Sequence, residues 1–154
     1  MELKDIVEPE AVLSGLNATS KKHLLQELAQ RAEDVIGVEA REAFEAMLER
    51  ERLGPTAMGQ GVAIPHARIR GLKGIAGVFA SLSKPVEFEA VDDEPVDLVF
   101  CLLAPEDAGA DHLRALARVS RRLRDPAVCA KLRSAEHSSA IYAVLTDNPE
   151  TKAA

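Results

Sequence analysis

Four histidines are the side chains of this 154-residue sequence best suited to nucleophilic or acid–base chemistry at neutral pH. An imidazole with a pKa of about 6.5 keeps one nitrogen lone pair free under those conditions. Two of the four read as surface residues: His23 follows Lys21-Lys22 in a first helical turn, and His137 follows Glu136 near the start of the last helix. His66 closes the stretch "GVAIPH" (61–66). Counted by twos, it shares the phase of Val62 and Ile64, bulky residues of a short apolar strand that face a core. Pro65 admits a second placement, since a proline ends a strand or sits at its edge, and the ring then emerges at the strand's lip. A buried structural histidine and an accessible functional one both fit. Gly59, Gly61 and Pro65 bracket the position with residues that bring backbone close and fix its direction. Thr56 adds a hydroxyl upstream.

His112 can be placed on a helix running from Asp111, a candidate cap, to Arg124. At about 100° per residue, Leu113, Leu116, Val119, Ser120 and Leu123 fill one arc, which is expected to face the protein. His112 falls inside that arc near its border, so it should lie over the end of a sheet. Arg114, Arg118, Arg121 and Arg122 fill the opposite arc and read as a solvated face.

The elements that must position these histidines follow from periodicity. Leu24, Leu25, Leu28, Ala29 and Ala32 recur at helical spacing behind Ser20, a plausible cap. Ala40, Ala43, Phe44, Met47 and Leu48 predict a second helix over 39–52, stopped by Gly54-Pro55. "GVAIP", "GIAGVFASL" and "VDLVFCLL" are apolar runs without alternation, as expected of strands covered on both faces. Helical spacing returns over 111–124, after Asp125-Pro126 (a cap with a first-turn proline), and over about 135–146. Helices on both faces of a mixed β-sheet, in one α/β domain, is the packing this order predicts. Residues 1–148 are read as that domain and 149–154 as a frayed tail.

Composition narrows the class. With 47% hydrophobic residues, four Phe, one Tyr and no Trp, the core must be aliphatic. A net charge of −6 disfavours binding to nucleic acid or anionic lipid. No apolar run reaches the roughly 20 residues of a membrane span, and the N-terminus has no signal-peptide pattern. Cys101 sits in "LVFCLLA", a buried-thiol context, and with Cys129 the only other cysteine a disulfide framework is not expected; the reading is a reduced, cytoplasmic protein.

The stretch "ERLGPTAMGQGVAIPHA" (51–67) resembles the active-site segment of the enzyme IIA family of the bacterial phosphotransferase system, fructose/mannitol/nitrogen type. The pattern is an acidic residue, a spacer, an apolar residue with Gly, then apolar-Ala-apolar-Pro-His-small. Met58, Gly59, Val62, Ala63, Ile64, Pro65, His66 and Ala67 fill its slots. "LERERLGPT", "FEAVDDEPVDLVFCLLAPE" and "DHLRALARVSRRLRD" are similar to the stand-alone nitrogen-regulatory branch.

This resemblance implies a phosphocarrier that accepts a phosphoryl group on His66, as a tele-phosphohistidine, from an HPr-type carrier charged through enzyme I and phosphoenolpyruvate; the residues alone leave open which ring nitrogen bears the group. It implies His112 as the second active-site histidine and Arg50 as the site arginine, with no cofactor and no metal. Thr56, Gly59 and Gly61 enter as weaker phosphoryl-binding candidates, Thr56 because Pro55 stands where relatives often carry a small hydroxyl residue. Regulated partners such as transporters or kinases follow from the same likeness. The alternatives are a module that only docks, a sugar-specific enzyme IIA of mannitol or fructose type passing phosphate to a IIB domain, and a metal hydrolase using His66, His112 and Asp111. The last lacks paired ligands at metal spacing on one element.

Overall fold

The computed structural model describes residues 1–147; the tail expected to fray lies outside them. Among the described residues the order is two short 3₁₀ turns (Leu3–Asp5, Pro9–Ala11), β1 (Val12–Leu16), α1 (Lys21–Ile36), α2 (Ala40–Arg52), β2 (Ala57–Gly59), β3 (Val62–Ala63), β4 (His66–Ile69), β5 (Ala76–Val86), β6 (Val96–Pro105), α3 (Ala110–Leu123), α4 (Pro126–Ser134) and α5 (Ser138–Thr146).

Helix α1 begins where expected. The Ser20 side chain accepts the His23 N–H, and the helix buries Leu24, Leu25, Leu28, Ala29 and Ala32. Helix α4 is capped by Asp125, whose carboxylate accepts from Ala127, with Pro126 in its first turn. Helix α5 starts at Ser138 rather than 135 because Ala135 and His137 are extended. No helix among the described residues is long and apolar enough to cross a membrane.

The strands form one mixed sheet in the order β1-β5-β6-β3-β2, with β4 also paired to β6. Strand β6 is its spine, buried from Leu98 to Ala104, as a run covered on both faces must be. Strands β3 and β4 both lie parallel to β6, and their register is continuous: Val62 faces Leu98, Ala63 faces Val99 and His66 faces Leu102. Pro65 lies between β3 and β4 without breaking that register, because its carbonyl accepts the Leu102 N–H.

Adjacent residues of β6 reveal the layers. The Cys101 thiol meets the Met47 sulfur of α2 at 3.3 Å, whereas His66, opposite Leu102, meets His112 of α3. Neighbouring strand residues point to opposite faces, so α2 and α3 cover the two sides of the sheet. Burial pushes the Cys101 thiol up to about 12, and it stays protonated as a small hydrophobe.

Strand β5 carries Gly77 opposite Leu102. A Cβ there would lie 2.4 Å from Phe100 Cε1 and 2.7 Å from Cζ, and Phe100 is fully buried. Gly77→Ala is therefore expected to cost about 2 kcal/mol by overpacking, lowering Tm by roughly 4–8 °C in a domain of this size. Thermal unfolding followed by circular dichroism checks this; an unchanged Tm would show that the ring has room to move.

Candidate active site

The phase of His66 carries through the proline. On one face, Val62 and Ile64 are buried, His66 is half-buried and Arg68 is exposed. That face starts in the core and surfaces at its third member. Among the described residues strand β2 pairs with β3 alone, so β4 has no strand of theirs on its outer side. The two placements left open by the sequence thus combine: the ring keeps the core-facing phase at the point where that face leaves the core.

The backbone selects the ring's tautomer. His66 Nδ1 lies 2.8 Å from the Ile64 carbonyl oxygen. A carbonyl only accepts, so Nδ1 carries the hydrogen and Nε2 keeps the lone pair. Burial holds the pKa of His66 below its usual 6.5, and the charge of Arg50 adds to that lowering; the Ile64 hydrogen bond and the charge of Glu51 oppose it.

His112 occupies the first turn of α3 and is 7% exposed. Its ring stands edge-on to that of His66, centroids 5.7 Å apart and planes at 69°. Its Nε2 is buried with no hydrogen-bond partner among the described residues. Burial, then Arg68, then His66 lower its pKa.

Both rings are accordingly neutral at pH 7. A neutral imidazole in the fold takes up protons only at lower pH than in the unfolded chain, so stability falls as pH drops below 6.5. In a proton NMR titration both ring resonances should have midpoints below 6.5; a midpoint above that value for either would contradict the burial argument.

Arg50 stands in the last turn of α2, where its Nη1 donates to the Gly54 carbonyl at 2.9 Å while its charge is felt at His66. Arg68 contributes a second guanidinium, felt at His112 and held by the Glu106 carbonyl at 3.1 Å. Two neutral imidazoles, one with a free Nε2 lone pair, with the charge of Arg50 felt at one ring and that of Arg68 at the other, suit the receipt of an anionic group at Nε2.

Other expected residues lie elsewhere. Thr56 is buried, and its hydroxyl donates to Glu51. Gly59 and Gly61 do not come to His66. The Gly61 carbonyl accepts from Asp97 and Leu98, while His66 pairs with Leu102; at about 3.3 Å per residue that separates them by roughly 13 Å along β6. A Cβ on Gly61 would fall 2.6 Å from Arg133 Nη2 and 2.9 Å from Asp97 Oδ1, and one on Gly59 would fall 3.2 Å from Asp92. These glycines make room for the β2–β3 turn and for the Arg133–Asp97 ion pair (2.9 Å).

Helix α3 also departs from its wheel. It buries His112, Ala115, Val119 and Leu123, leaving Leu113 67% exposed. Its cap is Gly109, and Asp111 sits inside the first turn, paired with Arg114 at 3.1 Å. Arg114, Arg118 and Arg121 are exposed as expected, but Arg122 is half-buried and donates to the Val144 carbonyl of α5. His23 is half-buried, accepting from the Thr19 N–H at 3.2 Å, and His137 is exposed. Among the described residues no group of three or more His, Cys, Asp and Glu side chains gathers as a metal site.

Sequence reasoning assigned no role to Lys21, Glu51 or Arg68. Arg68 was legible by position, two residues beyond His66 on the same strand face. Glu51 was visible as the acidic residue opening the motif segment, but its partners were not.

A family model described as phosphoenolpyruvate-dependent sugar phosphotransferase system, EIIA 2, matches residues 5–148. The nitrogen regulatory protein of Bradyrhizobium diazoefficiens is 53% identical over 153 residues, covering 99% of this chain and 100% of the relative. The crystal structure of nitrogen regulatory protein IIA-Ntr from Neisseria meningitidis aligns with a TM-score of 0.88 at 33% identity, over 94% of this chain and 99% of that one. The mannitol IIA of Escherichia coli shares the fold, with a TM-score of 0.74 at 24% identity over 90% and 97% of the two chains.

Proposed function

This chain belongs to the EIIA 2 family of the phosphoenolpyruvate-dependent sugar phosphotransferase system, a phosphotransfer component; on that premise we propose that it is a cytoplasmic nitrogen-type phosphocarrier, charged on His66 by an HPr-type carrier and acting on target proteins according to its phosphorylation state. The observation that carries this reading is the His66 Nδ1–Ile64 carbonyl contact of 2.8 Å, which leaves Nε2 as the nucleophile at an open sheet edge.

The step balances simply. The Nε2 lone pair attacks phosphorus and the P–N bond of the donor's phosphohistidine breaks. The donor ring, protonated on its other nitrogen, leaves as neutral imidazole. His66 keeps its Nδ1 hydrogen and gains positive charge on the ring, which the Ile64 carbonyl stabilises. Exchange between two histidines replaces like with like, so catalysis rests on position and on stabilising the spread negative charge of a loose transition state. Arg50 and the ring of His112 supply that stabilisation.

The test is intact-mass spectrometry after incubation with phosphoenolpyruvate, an enzyme I and an HPr-type carrier from the same cell. One acid-labile phosphoryl group per chain is expected; no label with a competent carrier would leave a module that only docks. A second reading, delivery to a IIB domain as in sugar-specific enzymes IIA, is supported by the family model, which is that of the sugar phosphotransferase system. Adding a IIB domain to the labelled protein separates the two: retention of the phosphoryl group supports the regulatory role, and its loss to IIB the delivery role.

A further inference from the structure

Behind the phosphoryl site lies a buried carboxylate with three partners. Glu51, in the last turn of α2, is 7% exposed. Its oxygens each lie 3.2 Å from the Thr56 N–H, and it also accepts from the Thr56 hydroxyl. Lys21, the first residue of α1, places Nζ 2.6 Å from Glu51 Oε2 and 4.7 Å above the Phe88 ring. A buried carboxylate is costly unless paired and hydrogen-bonded, and here both conditions are met.

The chain of bonds continues to the nucleophile. The Thr56 carbonyl accepts the Ile64 N–H at 3.1 Å, and the Ile64 carbonyl accepts His66 Nδ1–H at 2.8 Å. We propose that Lys21, Glu51 and Thr56 are positioning residues that hold the Ile64 backbone, and through it the tautomer and orientation of the His66 ring. This rests on the phosphocarrier reading only for its consequence in transfer; the effect on the ring is a property of the free protein.

Three features make the assignment specific. The hydroxyl hydrogen of Thr56 is committed to Glu51, so it serves the chain rather than an incoming phosphoryl group. Glu51 ties the end of α2 to the segment entering β2, and the same turn carries Arg50 with its Gly54 contact, so one clamp sets both the cation and the nucleophile. The negative charge of Glu51 is also felt at His66, where it offsets the positive charge the ring gains on phosphorylation.

The experiment compares wild type, Glu51→Gln, Lys21→Met, Thr56→Val and Thr56→Ser, each first checked for a cooperative thermal transition. Long-range proton–nitrogen NMR of the ring nitrogens reports the His66 tautomer, and rapid-quench transfer from pre-phosphorylated HPr-type carrier reports the rate. Wild type and Thr56→Ser should show a single Nδ1–H tautomer and full rate. Glu51→Gln and Thr56→Val should show mixed tautomers and transfer slowed roughly tenfold or more, as expected of a displaced reacting group. Lys21 is part-exposed, so Lys21→Met keeps the test available if Glu51→Gln does not fold, and it should also mix the tautomers. Wild-type tautomer in the folded variants overturns the proposal. If the wild-type chain accepts no phosphoryl group at all, the functional reading falls while the tautomer comparison still decides the chain.

Discussion

After incubation with phosphoenolpyruvate, enzyme I and HPr-type carrier, His66→Ala is expected to carry no acid-labile phosphoryl group, against one per molecule of wild type. The loss should be complete because no neighbour can take over the bond. His112, the nearest imidazole, is 7% exposed and its Nε2 is enclosed, so a donor histidine on another protein cannot approach it in line. His23 and His137 lie on other elements, at the start of α1 and the cap of α5. The substitution should leave the fold in place, since His66 is half-buried and the one hydrogen bond of its side chain among the described residues is to the carbonyl two residues away. Intact-mass spectrometry with circular dichroism on the same sample distinguishes lost chemistry from lost structure. Stoichiometric label on a folded His66→Ala would sink the assignment of the nucleophile.

His112→Ala should fold and accept the phosphoryl group slowly. The buried, unpartnered Nε2 of His112 is an unmet hydrogen-bonding group, which costs about 1–3 kcal/mol. On the phosphocarrier reading proposed above, the His112 ring donates to the arriving phosphoryl group, an interaction stronger in the transition state than in the resting protein. Removing one such donor costs about a hundredfold in rate, equivalent to about 2.7 kcal/mol of barrier. Single-turnover transfer from pre-phosphorylated carrier measures this directly, with the final extent of labelling preserved and the rate reduced. A wild-type rate in a folded His112→Ala would show that the ring only packs against His66.

Local signals in the chain sufficed for much of the architecture. The caps at Ser20 and Asp125-Pro126, the apolar spacing of α1 and α2 and the unbroken run of β6 are each set by residues within a few positions of one another. The phase of His66 with Val62 and Ile64 was equally legible, and the motif from Glu51 to Ala67 marked the segment that carries the proposed site. Strands β1 and β2 were not: "VLSGL" and "AMG" are short and carry Ser or Gly, and they become strands only because β5 and β3 offer them hydrogen bonds.

The remaining differences share that cause. On α3 the wheel counts apolar side chains, but the helix turns to bury Ala115 and His112 rather than Leu113, because contact with the sheet and with His66 decides which stripe is covered. Gly59 and Gly61 stand within seven residues of His66 in the chain, yet the parallel run beside β6 carries them away from it. Thr56 and Glu51 read separately as an upstream hydroxyl and as the acidic residue opening the motif until folding buries them with Lys21 beside Glu51. The sequence by itself determined which residues hold a reactive lone pair and which segments are helical, since both are properties of short stretches. Tertiary structure alone decided that His112 meets His66 and that Lys21 pairs with Glu51, because those contacts join segments distant in the chain, while the choice of ring nitrogen rests on backbone geometry within two residues of His66.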